Sequence, residues 1–328
     1  MVMSKITFGI IGCGDVTEIK SGPAFQKLPG TRLKWVMRRN REKLEDYARR
    51  HQVEHFTTDY MDILTDAEVD AVYIATPPHM HKFYTLEAAR HKKDVYVEKP
   101  MALSVEDARE MMKVCKEEGV RLFVAYYRRG QQKFRKIQEL LNKKEIGEIR
   151  SFSYQYTSPV PALNPDRPWL FKKEFAGGGK LYDVGSHMID LILFLFGEVQ
   201  YAAGVSSNQS GLLEVEDNTS GMIVFRNGIK GTLQMTFNGN YDEDMLTVVG
   251  SRGTIRFAIM NTKPVEMIRD GKMTVFEFPD LQHVQMPLIS LVSDTINGRG
   301  ELDSTGLYGL RTQQVLEAFR DNGTIGHL

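Results

Sequence analysis

Cysteine is nearly absent: Cys13 and Cys115 are the two thiols in 328 residues. Two cannot build a disulfide framework, which points to a reducing cytoplasm. Their separation excludes a clustered cysteine metal site, and no metal is expected. No uncharged apolar run approaches the roughly 18 residues of a membrane span. The greasiest stretch, Leu191-Ile192-Leu193-Phe194-Leu195-Phe196, fits a buried helix. The first apolar run, Ile6 to Ile11, is too short and too closely followed by glycine for a signal peptide. An excess of one charge is also missing, since Lys+Arg and Asp+Glu balance at 42 each. Neutrality argues against a broad footprint for nucleic acid or an anionic membrane. What is present, 42% apolar and 26% charged residues, is ordinary for one large or two smaller globular domains.

The first ~125 residues alternate short apolar runs with helical segments. Candidate strands are Ile6–Ile11, Arg32–Met37, Val69–Ala75, Asp94–Val97 and Arg121–Ala125, with helical patterns near 40–50, 80–91 and 104–118. Such alternation implies βαβ units and a parallel sheet. After a further helix near 131–143 the pattern changes. From Glu148 to about Phe278 it becomes alternating strands, with turn signals at Asn208, Asn227-Gly228, Asn238-Gly239, Gly250 and Asp270-Gly271. A helix at about 181–196 interrupts this region, and helices near 286–297 and 306–321 close the chain. The expected architecture is a nucleotide-binding α/β domain followed by an α+β domain on a largely antiparallel sheet. The boundary is expected at 126/127, with the C-terminal helices free to pack back on the first domain.

Gly12-Cys13-Gly14-Asp15-Val16-Thr17 directly follows the first strand. Glycines at the first and third positions permit a tight turn and close backbone approach to a pyrophosphate. Thr17 occupies the position where the fingerprint has a third glycine or alanine. The second strand ends in Arg38-Arg39-Asn40, with no acid between Leu33 and Arg41. NAD-binding versions place an acid there for the ribose hydroxyls, whereas an arginine pair complements a 2′-phosphate. NADP(H) is therefore favoured over NAD(H).

Glu98-Lys99-Pro100 ends the buried run Asp94-Val95-Tyr96-Val97, where open α/β sheets bind ligands. A lysine there can reach a substrate, and an X-Pro bond is cis at little cost. Gly177-Gly178-Gly179 opens a second constellation, leading into a helix that carries Asp183, His187 and Asp190. At 100° per residue these three fall within about 60° of one another. A histidine between carboxylates one turn away can be held in one tautomer with raised basicity. Leu181, Val184, Met188, Leu191 and Leu195 supply the packing stripe. His79 and His81 start another helix and read as loop or capping residues near the cofactor.

Taken together, the Gly12-x-Gly14 turn, Ala75-Thr76-Pro77-Pro78 with His81, Glu98-Lys99-Pro100, and Gly177-Gly178-Gly179 leading to Asp183-x3-His187 resemble the glucose-fructose oxidoreductase / inositol 2-dehydrogenase (Gfo/Idh/MocA) family. The resemblance spans essentially the whole chain. It implies a Rossmann domain plus an α+β domain with a large open-faced sheet, the latter forming a homodimer or homotetramer. It implies hydride transfer between a nicotinamide and a sugar, polyol or related small molecule. Lys99 then corresponds to the lysine that hydrogen-bonds the reacting oxygen, His187 to the general acid/base, and Asp183 to its orienting partner or a substrate contact. Cofactor contacts are implied for Gly12, Gly14, Asp15, Val16, Thr17, Arg38, Arg39, Thr76, Pro77, His81, Glu98, Lys99 and Arg128.

Tyr126-Tyr127-Arg128-Arg129-Gly130 departs from the family's Asn-Arg-Arg-Phe stretch. Tyr127 replaces a small amide at a pocket position and counts against any familiar sugar substrate. The segment Tyr154 to Phe171, with Tyr156, Asn164, Asp166, Arg167 and Trp169, is expected to wall the substrate pocket. Two other classes fit the same fold: a non-catalytic nucleotide or sugar sensor, and a glycosidase-like member using tightly held NAD. Intact Lys99, Asp183 and His187 argue against the first, and Arg38-Arg39 against the second.

Overall fold

A computed structural model of the chain describes residues 5–160, 168–212 and 214–326. It divides into two compact units. The first takes Met1–Gln131 with Leu281–Leu310, and the second Gln132–Asp280 with Arg311–Leu328.

The first unit is built on six parallel strands: β1 (Ile6–Ile11), β2 (Thr31–Met37), β3 (His55–Thr57), β4 (Ala71–Ile74), β5 (Asp94–Val97) and β6 (Leu122–Val124). Their order is β3-β2-β1-β4-β5-β6, the dinucleotide-binding order that reverses direction between β1 and β4. A parallel sheet is covered on both faces, so its strands read as apolar runs rather than alternations. Every residue of β1, β4 and β5 is accordingly buried. Helices Arg41–His51 and Val105–Glu117 start on polar caps, Asn40 Oδ1 accepting from Lys43 N–H and Ser104 Oγ from Asp107 N–H. Helix Met286–Ile296 contributes Leu288, Ile289 and Val292 to a cluster with Phe25, Tyr73 and Tyr96. Strand β3 lacked a sequence signal because it has three residues and exposes its central Phe56.

The second unit carries nine strands: β7 (Ile149–Thr157), β8 (Val199–Ser207), β9 (Asn218–Phe225), β10 (Lys230–Thr236), β11 (Glu243–Gly250), β12 (Gly253–Phe257), β13 (Val265–Arg269), β14 (Lys272–Phe276) and β15 (Thr324–Gly326). The order is β14-β13-β12-β11-β7-β10-β9-β8-β15, and the β7–β10 pair is parallel within an otherwise antiparallel sheet. One face packs its apolar alternates, among them Phe152, Phe225, Leu233 and Leu246, against helices Gln132–Asn142 and Ser186–Phe196. Phe152 stacks on Phe196 with ring centroids 4.8 Å apart. The cross-strand pairs Ala203↔Met222, Met222↔Thr232, Thr232↔Ser153, Ser153↔Thr247 and Thr247↔Arg256 run along the other face. That face leaves Val205, Met222, Val249, Met273 and Val275 exposed.

The expected stripe of Leu181, Val184, Met188, Leu191 and Leu195 packs into or against the core, and the structure extends burial beyond it. All residues of Ser186–Phe196 are buried, so the helix is enclosed on every side. Among the described residues no helix is long and apolar enough to cross a membrane.

Candidate active site

Parallel register brings the strand ends of the first unit to one level. Ile11 pairs with both Met37 and Ile74, Ile74 with Val97, and Val97 with Val124. The Gly12 turn, Arg38, Thr76, Lys99 and Tyr126–Arg128 therefore all leave the sheet at the same carboxyl edge. Gly12 and Cys13 N–H both donate to Met37 O, at 2.9 and 3.0 Å, closing the turn onto the end of β2. Gly12 has φ +95°, and a Cβ there would lie 2.8 Å from Thr76 Cγ2 and 3.0 Å from the Ala75 backbone. A Cβ at Gly14 would meet only open space, its nearest neighbour being Gly12 O at 4.0 Å. That is the bare backbone a pyrophosphate needs.

Arg38 Nη1 donates to Cys13 O at 3.1 Å, which lays its guanidinium along the turn, and Arg39 is exposed beside it. Thr76 Oγ1 is buried and makes no hydrogen bond among the described residues, a cost that a bound polar ligand removes. These features fit a dinucleotide. Thr17 is turned inward, its Oγ1 donating to Gly14 O at 2.7 Å and its carbonyl accepting from Tyr47 Oη at 3.1 Å. Burial pushes the Cys13 thiol up to about 12, so it remains protonated. The helix after the turn is tied down by Glu18, which accepts from Arg50 Nη1 and Nη2 at 2.7 and 2.8 Å and contacts His51 Nε2 at 2.8 Å.

At the end of β5, the Glu98 carboxylate is buried and committed internally. Its Oε1 accepts from Tyr73 Oη and Gln285 Nε2, both at 2.6 Å, and its Oε2 from Lys99 N–H at 3.1 Å. Lys99 is half-buried and its peptide bond to Pro100 is cis. His81 does not cap its helix. Its fully buried ring sits 2.9 Å from Pro100 O through Nδ1 and 2.8 Å from Thr76 O through Nε2, joining two loops of the edge. Burial lowers its pKa against the opposing pull of those carbonyls, which favours the neutral ring. The Arg128 guanidinium is buried and lies 4.9 Å from the Tyr127 ring centroid.

In the second unit, the run from Leu181 to Gly185 is a π-helical turn, followed by helix Ser186–Phe196. The 100° spacing that placed Asp183, His187 and Asp190 together does not hold across it, and such turns recur at functional sites. Asp183 pairs with Lys180 Nζ at 3.1 Å. Asp190 is buried and accepts from Thr312 Oγ1 at 3.2 Å, while His187 is buried between them in sequence. Tyr156 packs its ring 5.4 Å from that of Phe237. Its hydroxyl pKa is raised, by burial first and by nearby acids including Asp183. Trp169 is half-buried, in a short 3-10 turn over Pro168–Phe171, and Lys180 Nζ lies 5.7 Å from the Phe171 ring. Asn164, Asp166 and Arg167 lie outside the described residues.

Sequence reasoning missed Lys180, although it stands three residues before Asp183, as well as Gln285 and Glu216. Glu216 Oε1 accepts from Gly179 N–H at 2.6 Å, and burial raises its pKa. A Cβ on Gly179 would come within 2.3 Å of Glu216 O, so the glycine run permits close packing before the π-turn.

A dinucleotide-binding sheet edge carrying a lysine, joined in one chain to a second open-faced sheet, defines a class of two-domain nicotinamide oxidoreductases. Residues 6–126 match the oxidoreductase family with an NAD-binding Rossmann fold, and residues 134–256 match the GFO/IDH/MocA C-terminal domain. Oxidoreductase P35 of Formosa agariphila is 36% identical over 289 residues, covering 87% of this chain and 89% of that protein. A levoglucosan dehydrogenase of Pseudarthrobacter phenanthrenivorans is 29% identical over 289 residues, covering 78% and 74%. A solved oxidoreductase from Agrobacterium radiobacter, in complex with NAD+, L-tartaric acid and magnesium, superposes with a TM-score of 0.87 over 98% of both chains at 21% identity. The chain belongs to the GFO/IDH/MocA oxidoreductase family, as an NAD(P)-dependent dehydrogenase or reductase.

The Glu18 clamp generates a pH prediction. Hydrogen bonds from Arg50, opposed by burial and aided by His51, lower its pKa from 4.5 to about 2. A depressed carboxylate stabilises the fold above its unfolded pKa and loses that contribution as pH falls through the folded value. Glu18→Gln should melt roughly 2 °C below the parent at pH 7. The gap in circular-dichroism melting should close as pH drops from about 4.5 toward about 2, and a gap unchanged at low pH contradicts the assignment.

Proposed function

We propose that the protein is an NADP(H)-preferring oxidoreductase acting on the hydroxyl or carbonyl carbon of a sugar, polyol or related compound. The observation that carries this reading is the convergence of Arg38, Gly12, Thr76 and Lys99 on one edge of the parallel sheet. The levoglucosan dehydrogenase among its relatives supports a sugar-like substrate.

The bound nicotinamide supplies the hydride acceptor or donor. Gly12, Gly14, Asp15, Val16 and Thr17 present the pyrophosphate turn, and Arg38 and Arg39 receive the 2′-phosphate by charge-assisted hydrogen bonds. Thr76, Pro77, His81, Glu98 and Arg128 shape the rest of the cofactor edge, His81 and Glu98 doing so through their internal bonds. The Lys99 ammonium hydrogen-bonds the reacting oxygen as charge develops on it, a contribution of roughly 3 kcal/mol by analogy with single oxyanion donors. His187 takes or gives the hydroxyl proton, and Asp183 orients it or the substrate. A positioned acid/base of this kind contributes about 10²–10⁴-fold. Tyr127, Tyr156 and Trp169 give the substrate its apolar and hydroxyl contacts.

The open face of the nine-stranded sheet suits a second copy of the chain. Exposed Val205, Met222, Val249, Met273 and Val275 alternate there with Ser153, Thr232 and Thr247, a mixed surface that can close a homodimer or homotetramer.

Screening aldoses, ketoses, inositols and diols with NADP+ at the nicotinamide absorbance band identifies the substrate. On it, Lys99→Ala should lose about 10²–10³-fold in kcat while binding NADPH normally by fluorescence titration; full turnover would sink the role. Arg39→Ala should weaken NADPH binding roughly tenfold or more and leave NADH nearly unaffected, and equal losses for both would remove the 2′-phosphate assignment. In light scattering, Met222→Lys should reduce the mass of the parent oligomer to that of the 37.4 kDa chain. An unchanged mass places the interface elsewhere.

A further inference from the structure

Glu98 stands next to Lys99 in sequence, yet the group that fixes its carboxylate comes from far along the chain. Gln285 is 1% exposed and precedes helix Met286–Ile296. Its Nε2 donates to Glu98 Oε1 at 2.6 Å, and its Oε1 accepts from Tyr96 Oη at 2.9 Å. A tyrosine hydroxyl can donate or accept, whereas a carboxylate accepts. The carboxylate therefore selects the amide orientation in which nitrogen faces Glu98, and Tyr96 Oη donates to the amide oxygen on the other side. Tyr73 Oη adds the second donor to Glu98 Oε1, and the Tyr73 and Tyr96 rings stack with centroids 5.0 Å apart.

The segment bearing Gln285 is itself held. Gln285 N–H donates to Lys20 O at 3.1 Å, and His283 contacts Ile19 O through Nδ1 and Lys27 Nζ through Nε2, both at 2.6 Å. Thus the segment runs from the helix that follows the glycine turn to the carboxylate beside Lys99. The titratable groups facing Glu98 are Tyr73 from the neighbouring strand β4, Tyr96 from its own strand β5, His81 from the helix after β4, and Lys99 itself.

We propose that Gln285 is a positioning residue for Lys99: its amide, braced by Tyr96, holds the Glu98 carboxylate so that Oε2 receives the Lys99 N–H and sets the backbone from which the lysine projects. This rests on the reading of Lys99 as the catalytic lysine. Half of a hydrogen-bonded network is worse than none when buried. Removing the Gln285 amide leaves Glu98 short of a donor, and the carboxylate turns away to find one, releasing the Lys99 amide.

Trace acetylation of the full chain by acetic anhydride, read lysine by lysine with mass spectrometry, tests this without any substrate. Gln285→Leu should raise the acetylation rate of Lys99 at least threefold relative to the exposed Lys113 and Lys143. Tyr96→Phe removes one oxygen and is the gentler variant should Gln285→Leu fail to fold; it should shift the rate the same way. A Lys99 rate less than threefold above the parent's in a folded Gln285→Leu chain, or a Tyr96→Phe rate no higher than the parent's, overturns the inference and leaves the catalytic role of Lys99 intact. Full turnover by Lys99→Ala fails the parent reading instead, whatever the labelling shows. On the substrate found by screening, Gln285→Leu should lower kcat in the parent but hardly at all in the Lys99→Ala background. Equal factors in both backgrounds also overturn it.

Discussion

The parallel register of the six-stranded sheet is the constraint on which the rest depends. Because Ile11, Met37, Ile74, Val97 and Val124 end their strands at one level, five loops separated widely in sequence open along one edge. Burial on both faces holds that register, since β1, β4 and β5 at the centre of the sheet are buried along their whole length. A slip in any strand would carry its loop away from the others. The turn at Gly12 is then free to bend backward without a Cβ, and Arg38 closes over it through Cys13 O.

On that frame, polar groups do the fine placement. Glu98 is satisfied by Tyr73, Gln285 and the next backbone amide, and the neutral His81 ring donates to one of Thr76 O and Pro100 O and lies against the other. Each is buried, so each bond is made in a low dielectric where leaving it unmade costs most. The second unit uses the same device. Glu216 grips Gly179 N–H before the π-turn, and Lys180 meets Asp183 within it. Rigid placement of a few groups is what hydride chemistry asks of a protein, because the reactive atoms belong largely to the cofactor.

Much of this was legible in the sequence where cause and effect are close along the chain. The glycine turn follows its strand within one residue, and Arg38-Arg39 and Glu98-Lys99-Pro100 likewise sit at strand ends. The alternation of β9 and β10 announced a largely antiparallel sheet, and the family resemblance implied its open face. What stayed hidden depends on distant partners or on backbone geometry without a periodic signature. Nothing near Glu98 marks Gln285, 187 residues away, as its donor. The π-turn at Leu181–Gly185 leaves no trace in residue spacing, so a uniform 100° step does not describe the backbone that carries Asp183. The helix Ser186–Phe196 is buried all round, so the stripe drawn on it covers only part of what packs.

The central claim is that this sheet edge holds NADP(H) with its reactive end toward Lys99. A crystal structure grown with NADP+ tests it most directly. The account predicts electron density along the carboxyl edge of the parallel sheet, with the pyrophosphate over Gly12–Gly14, the 2′-phosphate on Arg38 and Arg39, and the nicotinamide on the Lys99 side. A nucleotide bound elsewhere, or one whose 2′-phosphate avoids both arginines while the nicotinamide points away from Lys99, would contradict it.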